Sequence, residues 1–237
     1  MLLNIIYPRR CPICDSVLKN GSRNETCGKC VKKVRYIEEP FCKKCGKPLE
    51  YDYIEYCGDC KGKITSYKYG MAVFEYSMYI RDSISRFKYN GRREYAGYYS
   101  ECMYDKYRGW INKVSPDAFI PVPIHTKRMR KRGYNQAELI ALELGKKCSI
   151  PVISDYIYRC KNTCPQKMLS PSERAGNVTD AFMVSDATKE LYQNVKCVII
   201  IDDIYTTGST IEACSHTLRE AGVNDIYFMC VSIGRGF

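Results

Sequence analysis

The chain contains no apolar run near the roughly 18 residues that a membrane-spanning helix requires. Residues 1–8 are too few for a signal peptide and have no basic leader ahead of an apolar stretch. The chain also lacks the Gly-x-x-x-x-Gly-Lys-Ser/Thr loop with which many nucleotide hydrolases hold phosphates. These absences argue against a membrane span and against that class of hydrolase, and we expect a soluble protein of the cytosol.

Histidine is scarce, with two residues against fifteen cysteines. Eight of the cysteines form four Cys-x-x-Cys pairs, separated by 12, 11 and 11 residues, and in a reducing compartment such pairs indicate metal binding rather than disulfides. Because no histidine or carboxylate lies at ligand spacing, we expect structural rather than catalytic zinc. The predicted ligands are Cys11, Cys14, Cys27, Cys30, Cys42, Cys45, Cys57 and Cys60.

Each cysteine pair can form a tight turn that presents two sulfurs to one metal, so the eight cysteines predict two tetrahedral zinc sites. Two arrangements fit the spacing: the first four and the last four cysteines form the sites, or the sites are cross-braced. In either arrangement, residues 1–65 form a small module in which zinc substitutes for a large core. We expect zinc removal to unfold this module and to leave the rest of the chain largely folded.

The formal net charge of +11 is typical of a nucleic-acid-binding protein, but it counts the cysteines as neutral. Residues 1–65 contain 13 Lys and Arg and 8 Asp and Glu, and eight thiolates with two Zn²⁺ reduce the charge of the module to about +1. Much of the remaining excess lies in Lys127, Arg128, Arg130, Lys131 and Arg132. Charge alone therefore does not establish DNA binding.

The strongest functional pattern lies at residues 198–210. Four consecutive β-branched residues predict a strand buried on both faces, as in a parallel sheet, and Asp202 and Asp203 follow at its carboxyl end. A Thr-Thr-Gly-Ser-Thr turn then leads into a helical pattern. Because open α/β sheets bind ligands at the carboxyl ends of their strands, we expect a ligand site here.

This pattern fits a sugar phosphate. Small residues let backbone N–H groups approach a phosphate, hydroxyls add donors, and the helix N-terminus adds partial positive charge. We expect the two aspartates to accept hydrogen bonds from vicinal ribose hydroxyls. The residues expected to hold the phosphate are Thr206, Thr207, Gly208, Ser209 and Thr210. The motif resembles the phosphoribosyl pyrophosphate (PRPP) signature of type I phosphoribosyltransferases; a buried strand with an acidic turn is the alternative.

A second loop follows a short strand predicted at residues 118–123, ahead of a helix predicted at residues 134–147. Prolines restrain this loop and cations follow it, which suits a pyrophosphate leaving group. A solvated basic loop is the alternative, and a structural role for the histidine is as plausible as ligand binding. The predicted pyrophosphate-binding residues are Val122, Pro123, Ile124 and His125, with Lys127 and Arg128 drawing off negative charge.

The rest of the chain predicts the framework for these loops. Strands at residues 67–75 and 226–232 alternate with helices, one of them capped by Ser77 and one tyrosine-rich over residues 95–110. We expect its tyrosines to pack over a sheet, and we interpret the basic residues around the Asn-Gly turn at 90–91 as a solvated turn. Residues 66–237 should form a mostly parallel sheet with helices on both faces.

Further motifs extend the resemblance to the whole chain. They are Cys-Pro-Ile-Cys at 11–14, Phe-Lys-Tyr-Asn-Gly-Arg at 87–92, Pro-Val-Pro-Ile-His at 121–125 and Lys-Arg-Gly-Tyr-Asn-Gln-Ala at 131–137. Together with the aspartate motif, they resemble the ComF family, which is associated with competence and DNA uptake. Residues 159–177 resemble the family's segment before the PRPP motif, which in transferases of this fold is a mobile loop that closes over the substrate.

The resemblance implies a Cys₄ zinc-ribbon-like module followed by a type I phosphoribosyltransferase-like domain that binds PRPP with Mg²⁺. If the domain is catalytic, a nucleophile displaces pyrophosphate from the ribose, with Asp202, Asp203, Lys127 and Arg128 as the catalytic residues. The sequence contains no recognisable hood for a purine or pyrimidine, so it does not identify the acceptor. The alternative is a non-catalytic sensor of PRPP or phosphate that docks a DNA-uptake helicase or single-stranded DNA. The sequence does not indicate an oligomeric state.

Overall fold

The computed structural model describes residues 8–18, 25–160 and 181–234. Its centre is a four-stranded sheet in which all strands are parallel, in the order β1-β6-β5-β2. In chain order the elements are α1 (Gly28–Val31), β1 (Gly70–Glu75), α2 (Met78–Tyr89), α3 (Tyr95–Val114), β2 (Ala118–Pro121), α4 (Thr126–Arg132), α5 (Gln136–Cys148), β3 (Tyr158–Arg159), β4 (Phe182–Met183), α6 (Asp186–Leu191), β5 (Cys197–Tyr205), α7 (Ser209–Glu220) and β6 (Asp225–Ile233).

The strand β5 lies inside the sheet, between β6 and β2, and its apolar residues are covered on both faces. Val198 and Ile200 pack on one face and Ile199 and Ile201 on the other, all at 0% exposure. The strand continues beyond the predicted end: its pairing with β6 runs to Tyr205, whereas its pairing with β2 stops at Ile201. The two aspartates therefore follow the point where β5 loses one neighbour.

Helices cover both faces of the sheet, as predicted. Apolar residues of α7 pack on one face, and α2, α3 and α5 pack on the other. The cap at Ser77 is confirmed, since its hydroxyl accepts a hydrogen bond from the Ile80 N–H at 3.4 Å. The tyrosine-rich helix is also confirmed as α3, with Tyr95, Tyr99 and Tyr107 buried against the sheet.

One local prediction is wrong. Residues 126–132 were expected within a loop, but they form the helix α4, and the next helix begins at Gln136. The ring nitrogen Nδ1 of His125 accepts a hydrogen bond from the Lys127 N–H at 3.1 Å and caps α4, and Gly133 ends it with φ +74°. None of the residues of α4 is buried, so the sequence contains no apolar spacing that would reveal this helix.

The zinc-module residues pack directly on the free edge of β1. The Ile37 N–H donates to the Val73 carbonyl at 2.9 Å, and the Glu75 N–H donates to the Arg35 carbonyl at 3.0 Å. Residues 35–37 thus extend the sheet by one short antiparallel pairing, centred on Tyr36 and Phe74. The division at residue 65 stays a prediction, and this packing argues against the expected independence of the two parts.

Among the helices of residues 8–18, 25–160 and 181–234, none combines the length and apolar character that a membrane crossing requires. The segment predicted as a mobile loop lies mostly outside the described residues, which include only its beginning at residues 159–160.

Candidate functional site

The eight paired cysteines form two groups of four in sequential order. The first group is Cys11, Cys14, Cys27 and Cys30, and the second is Cys42, Cys45, Cys57 and Cys60, with the sulfurs of each group within 4.8 Å of one another. The Sγ atoms of Cys14 and Cys27 lie 3.7 Å apart, as do those of Cys45 and Cys57. Tetrahedral zinc with Zn–S bonds of about 2.3 Å places its sulfurs about 3.8 Å apart. Both groups therefore fit structural zinc, and the sequential arrangement replaces the cross-braced alternative.

The two metal sites differ in their surroundings. All four cysteines of the second group are buried, whereas Cys14 of the first is exposed. Beside the second group, Lys47 is only 3% exposed and forms an ion pair with Asp59. Burial lowers the pKa of Lys47. Asp59 and the nearby thiols have the opposite and larger effect, so the net shift of the pKa is upward. A cation held here offsets part of the negative charge of four thiolates around Zn²⁺.

Asp202 and Asp203 lie in the carboxyl-terminal part of β5, just past the end of its pairing with β2, although the strand itself continues to Tyr205. Asp203 is 8% exposed, and its Oδ1 lies 2.7 Å from the ammonium nitrogen of Lys88. The Oδ1 of Asp202 accepts a hydrogen bond from the Asp203 N–H at 2.8 Å. The two carboxylates therefore have different partners: one is held by a cation and the other by the backbone.

The environment of Asp202 disfavours its charged form, although part of the residue is exposed. Burial of its carboxylate, followed by repulsion from Asp203, raises its pKa to about 7. The Asp203 backbone, Lys88 and Arg159 oppose this rise. A carboxylate held in this state gains from any ligand group that donates a hydrogen bond to it.

The Thr-Thr-Gly-Ser-Thr turn connects β5 to α7. Gly208 has φ +79°, and a Cβ at this position would lie 2.2 Å from the Tyr205 hydroxyl, so both its conformation and its surroundings require glycine. The helix α7 begins with no side-chain cap on its N–H groups. Thr206, Thr207 and Ser209 are exposed around this helix start. The turn thus presents hydroxyls and a helix N-terminus, the features expected of a phosphate site.

Tyr205 packs against this turn at Gly208. It is buried and stacks on Phe228, with ring centroids 4.9 Å apart. Its hydroxyl lies 3.1 Å from the hydroxyl of Tyr67, at the junction with the zinc module. On the same side, the Glu212 carboxylate of α7 accepts hydrogen bonds from the N–H and hydroxyl of Ser66. The start of α7 is therefore attached to residues 66–67, which directly follow the zinc module.

The predicted pyrophosphate residues divide into a buried base and an exposed helix. Val122 is buried: its N–H donates to the Ile201 carbonyl at 2.9 Å, and its carbonyl accepts from Asn135 at 3.0 Å. Pro123, Ile124 and His125 follow with partial exposure, and His125 serves as the cap of α4. Val122 is thus fixed beside the residue that precedes Asp202.

Lys127 and Arg128 are exposed in the first turn of α4. Arg128 is close enough to Arg159 of β3 to affect its ionisation: burial, followed by Arg128, lowers the pKa of Arg159, and Asp202 opposes the shift. Arg159 also lies over the Phe182 ring, with its guanidinium carbon 5.3 Å from the centroid. Arg159 therefore lies near both Arg128 and Asp202, whereas the Lys127 side chain makes no hydrogen bond or ion pair with the residues that the structure describes.

Sequence reasoning missed two residues of this site. Lys88 was interpreted as part of a solvated turn, and Arg159 was noted only through the resemblance of a longer segment. Lys88 and Asp203 are 115 positions apart, so no local pattern could pair them. The motif Phe-Lys-Tyr-Asn-Gly-Arg was the only available signal, and it did not indicate a partner.

The chain is similar to one domain family and to several known proteins. A double zinc ribbon domain family matches residues 2–61. Competence protein F of Haemophilus influenzae is 32% identical over 209 residues, which cover 86% of this chain and 89% of that protein. DNA utilization protein YhgH of Escherichia coli K12 is 26% identical over 230 residues, or 96% of this chain and 98% of that protein. Competence protein ComFC of Bacillus subtilis is 27% identical over 210 residues, covering 84% and 79% respectively.

Proposed function

Because the chain belongs to the competence protein F family, we propose that it is a cytosolic phosphoribosyltransferase-type protein that binds PRPP in the handling of imported DNA. The names of its relatives refer to competence and DNA utilization, which supports the process. The ligand is inferred from one observation: an uncapped, hydroxyl-rich helix start follows two carboxylates at the end of a parallel strand.

The two aspartates suit a ribose, since each carboxylate can accept hydrogen bonds from vicinal hydroxyls. Asp202 has the stronger need for a donor, because burial and Asp203 raise its pKa. The turn at residues 206–210 would hold the 5′-phosphate with backbone N–H groups, hydroxyls and the dipole of α7. In this arrangement, the same loop binds both parts of a ribose phosphate.

The basic residues suit the pyrophosphate of PRPP. Arg159 is close enough to both Arg128 and Asp202 for each of them to affect its ionisation, and Lys127 precedes Arg128 in the first turn of α4. Guanidinium groups bind phosphate oxygens in pairs and stay charged at every physiological pH. Residues 122–125 would place the pyrophosphate beside β5, because Val122 is bonded to Ile201.

Catalysis would be a displacement at the anomeric carbon of the ribose. The bond from this carbon to the pyrophosphate oxygen breaks, pyrophosphate leaves with the bonding electrons, and a nucleophile forms the new bond. The aspartates would hold the ribose in place, and Lys127 and Arg128 would stabilise the charge that develops on the leaving group. Mg²⁺ bound together with PRPP would neutralise further pyrophosphate charge when present.

Calorimetric titration of the purified chain with PRPP and Mg²⁺ tests this proposal directly. We expect saturable binding at one site per chain, and weaker binding of ribose 5-phosphate, which lacks the pyrophosphate. A coupled assay for released pyrophosphate then tests catalysis with candidate amines and bases. A chain that binds neither sugar phosphate would contradict the proposed function.

The second candidate is a binding module that senses PRPP or phosphate and docks a DNA-uptake helicase or single-stranded DNA. The relatives' names favour it, because they refer to competence and to DNA utilization and name no transferase activity. Affinity for single-stranded DNA should then fall steeply with salt and change when PRPP is added. Turnover of PRPP to free pyrophosphate with an acceptor would favour the enzyme instead.

A further inference from the structure

Lys88 provides a partly buried cation at the proposed sugar phosphate site. It lies in the last turn of α2 and reaches across to β5, where its ammonium nitrogen is 2.7 Å from Oδ1 of Asp203. The side chains of Lys88 and Asp203 are 18% and 11% exposed, so water screens this pair only weakly. Nothing in the local sequence requires a lysine with this reach.

This ion pair addresses a physical problem at the end of β5. Two adjacent carboxylates at a mostly buried strand end repel each other, and neither is attracted by the apolar residues before them. An ammonium on Asp203 neutralises one charge and fixes the direction of that carboxylate. Without Lys88, the Asp203 carboxylate loses this fixed direction, which alters the hydrogen bonds that it offers a ligand.

The first zinc ribbon, which carries Cys11, Cys14, Cys27 and Cys30, contacts the helix that carries Lys88. Pro12 and Ile13, which lie between two of the cysteines, accept hydrogen bonds through their carbonyls from Ser83 and Arg86 of α2. The Asp15 carboxylate, directly after Cys14, accepts a hydrogen bond from Arg92 at 2.8 Å.

These contacts extend into the next helix and to the far side of α2. Tyr95 of α3 donates a hydrogen bond from its hydroxyl to Asp15, at 2.5 Å. On the far side, the Tyr134 hydroxyl donates to the Phe87 carbonyl, directly before Lys88. The end of α2 is therefore held on one side by residues 12–15 of the first zinc ribbon and on the other by the segment before α5.

We infer that Lys88 is a positioning residue of the sugar phosphate site and that the first zinc ribbon holds it in place. The inference rests on the proposed function, and it makes that ribbon a structural part of the ligand site. It assigns Lys88 no contact with the ligand: the residue acts through Asp203. An intact first zinc site then becomes a condition for full ligand affinity.

Substitution of Lys88 tests the first half of the inference. Lys88→Met should weaken PRPP binding by at least about tenfold, the equivalent of one charge-assisted hydrogen bond, while zinc content stays at two ions per chain. Lys88→Arg should restore much of the affinity, because it keeps the cation. Lys68→Met, which removes an exposed pair with Asp225, is the matched control and should bind like the unchanged chain. Affinity of Lys88→Met within about twofold of the unchanged chain would overturn the inference.

Asp15→Asn tests the role of the ribbon without removing a metal ligand. This variant should keep two zinc ions and yet bind PRPP several-fold more weakly. In the Lys88→Met background, the same change should have almost no further effect, because both changes act through Lys88. An equal additional loss in that background would show that the ribbon does not act through this lysine.

A melting experiment without ligand separates this inference from the proposed function. A double-mutant cycle of Lys88→Met and Asp203→Asn, measured by thermal unfolding, should show clear coupling between the two residues. If the unchanged chain binds no sugar phosphate but the cycle shows coupling, the proposed function fails and the ion pair is retained as a structural contact. Absent coupling would overturn the inference whatever the ligand results.

Discussion

Asp202 and Asp203 are neighbours in sequence, yet the fold places their carboxylates in different chemical environments. Asp203 has its own cation in Lys88, whereas Asp202 faces burial and the charge of Asp203. Removing the charge at position 202 should therefore relieve repulsion between the two carboxylates, and removing it at 203 should leave the partly buried ammonium of Lys88 without its partner. The two positions should respond differently to the same substitution.

Asp202→Asn should weaken PRPP binding by about 1.5 to 3 kcal/mol, the range for a hydrogen bond to a charged group. Its melting temperature should hold or rise, because repulsion is relieved at constant shape. Asp203→Asn is the matched comparison and should melt at a lower temperature, since Lys88 loses its counter-charge. Calorimetric titration and melting curves on the same preparations check both results. An Asp202→Asn chain with unchanged affinity and a sharply lower melting temperature would make Asp202 a structural residue.

The raised pKa of Asp202 also predicts how stability depends on pH. Its pKa is about 7 in the folded chain against an ordinary value of 3.8, so between these values the folded state binds a proton that the unfolded state has released. This contribution is complete below the lower value and is lost as pH rises through the higher one. The free energy of unfolding, measured in urea across this pH range, should decline less steeply with rising pH for Asp202→Asn than for the unchanged chain. Identical slopes would contradict the assignment.

Gly208 offers a separate residue-scale test of the turn. Gly208→Ala introduces a Cβ 2.2 Å from the Tyr205 hydroxyl at a backbone φ of +79°, and should cost about 1 to 3 kcal/mol of folding stability and weaken ribose 5-phosphate binding. Gly222→Ala is the control, because its φ is +98° but no atom lies within 4 Å of the added carbon. The control should lose less stability and no affinity. Equal effects in both variants would show that the close contact at Tyr205 is unimportant.

At the scale of elements, α4 is an exposed basic helix whose proposed role is to bind ligand and not to stabilise the core. It packs none of its residues into the core and is held by its cap at His125 and by Gly133. Such an element contributes little to stability and can present Lys127 and Arg128 to a ligand. The side chains of Lys127 and Arg128 should therefore affect binding without affecting folding.

Lys127→Ala with Arg128→Ala should weaken PRPP binding more than ribose 5-phosphate binding, because only PRPP carries the pyrophosphate. The melting temperature should stay nearly constant. Arg130→Ala, farther along the same helix, controls for the loss of general positive charge. Equal losses for both ligands would place these two residues away from the pyrophosphate.

The elements that the sequence predicts well are those with a buried face. The run at Val198–Ile201, the apolar spacing of α7 and the paired cysteines each reflect a local physical requirement, and the structure contains all three. The helix α4 was missed because none of its residues is buried in the core, so its sequence shows no apolar periodicity. Lys88 was missed because its partner is distant in the chain and comes near only after the sheet and α2 have formed.

At the scale of the whole molecule, the zinc ribbons and the sheet share their packing. The second cysteine group packs with Tyr67 and Phe228 on one face, and the first group packs with Val73 and Phe74 on the other. The module therefore surrounds the edge strand β1 instead of lying apart from it. This arrangement changes what zinc removal should do.

Metal analysis of protein purified without chelators should find two zinc ions per chain. Chelation should then lower the melting temperature of the whole chain and increase hydrogen exchange in β1 as well as in the ribbons, because β1 loses the pairing with residues 35–37. A sheet that keeps full protection without zinc would restore the earlier expectation of two independent parts.

The charge of the zinc module is uneven, which bears on the DNA-binding alternative. A cleft of about 1160 Å³ beside the second ribbon is lined by more acids than cations: Glu38, Glu39, Glu50, Glu55 and Glu75 against Arg35, Lys47 and Lys61. Phosphates are repelled from such a surface. Any single-stranded DNA on this module would have to use another face, such as that of the exposed Lys29, Lys32 and Lys33.

The pairing of residues 35–37 with β1 also bears on solubility. Residues 151–153 cover the opposite edge of the sheet through Phe119, so both edge strands are hydrogen-bonded to other segments. An uncovered edge strand is a template for pairing with another chain. Cells short of zinc would then accumulate chains with an open β1, whose sequence Gly-Met-Ala-Val-Phe-Glu favours strand addition. Metal supply would thereby limit how much of this protein remains free of aggregates, before any question of ligand binding arises.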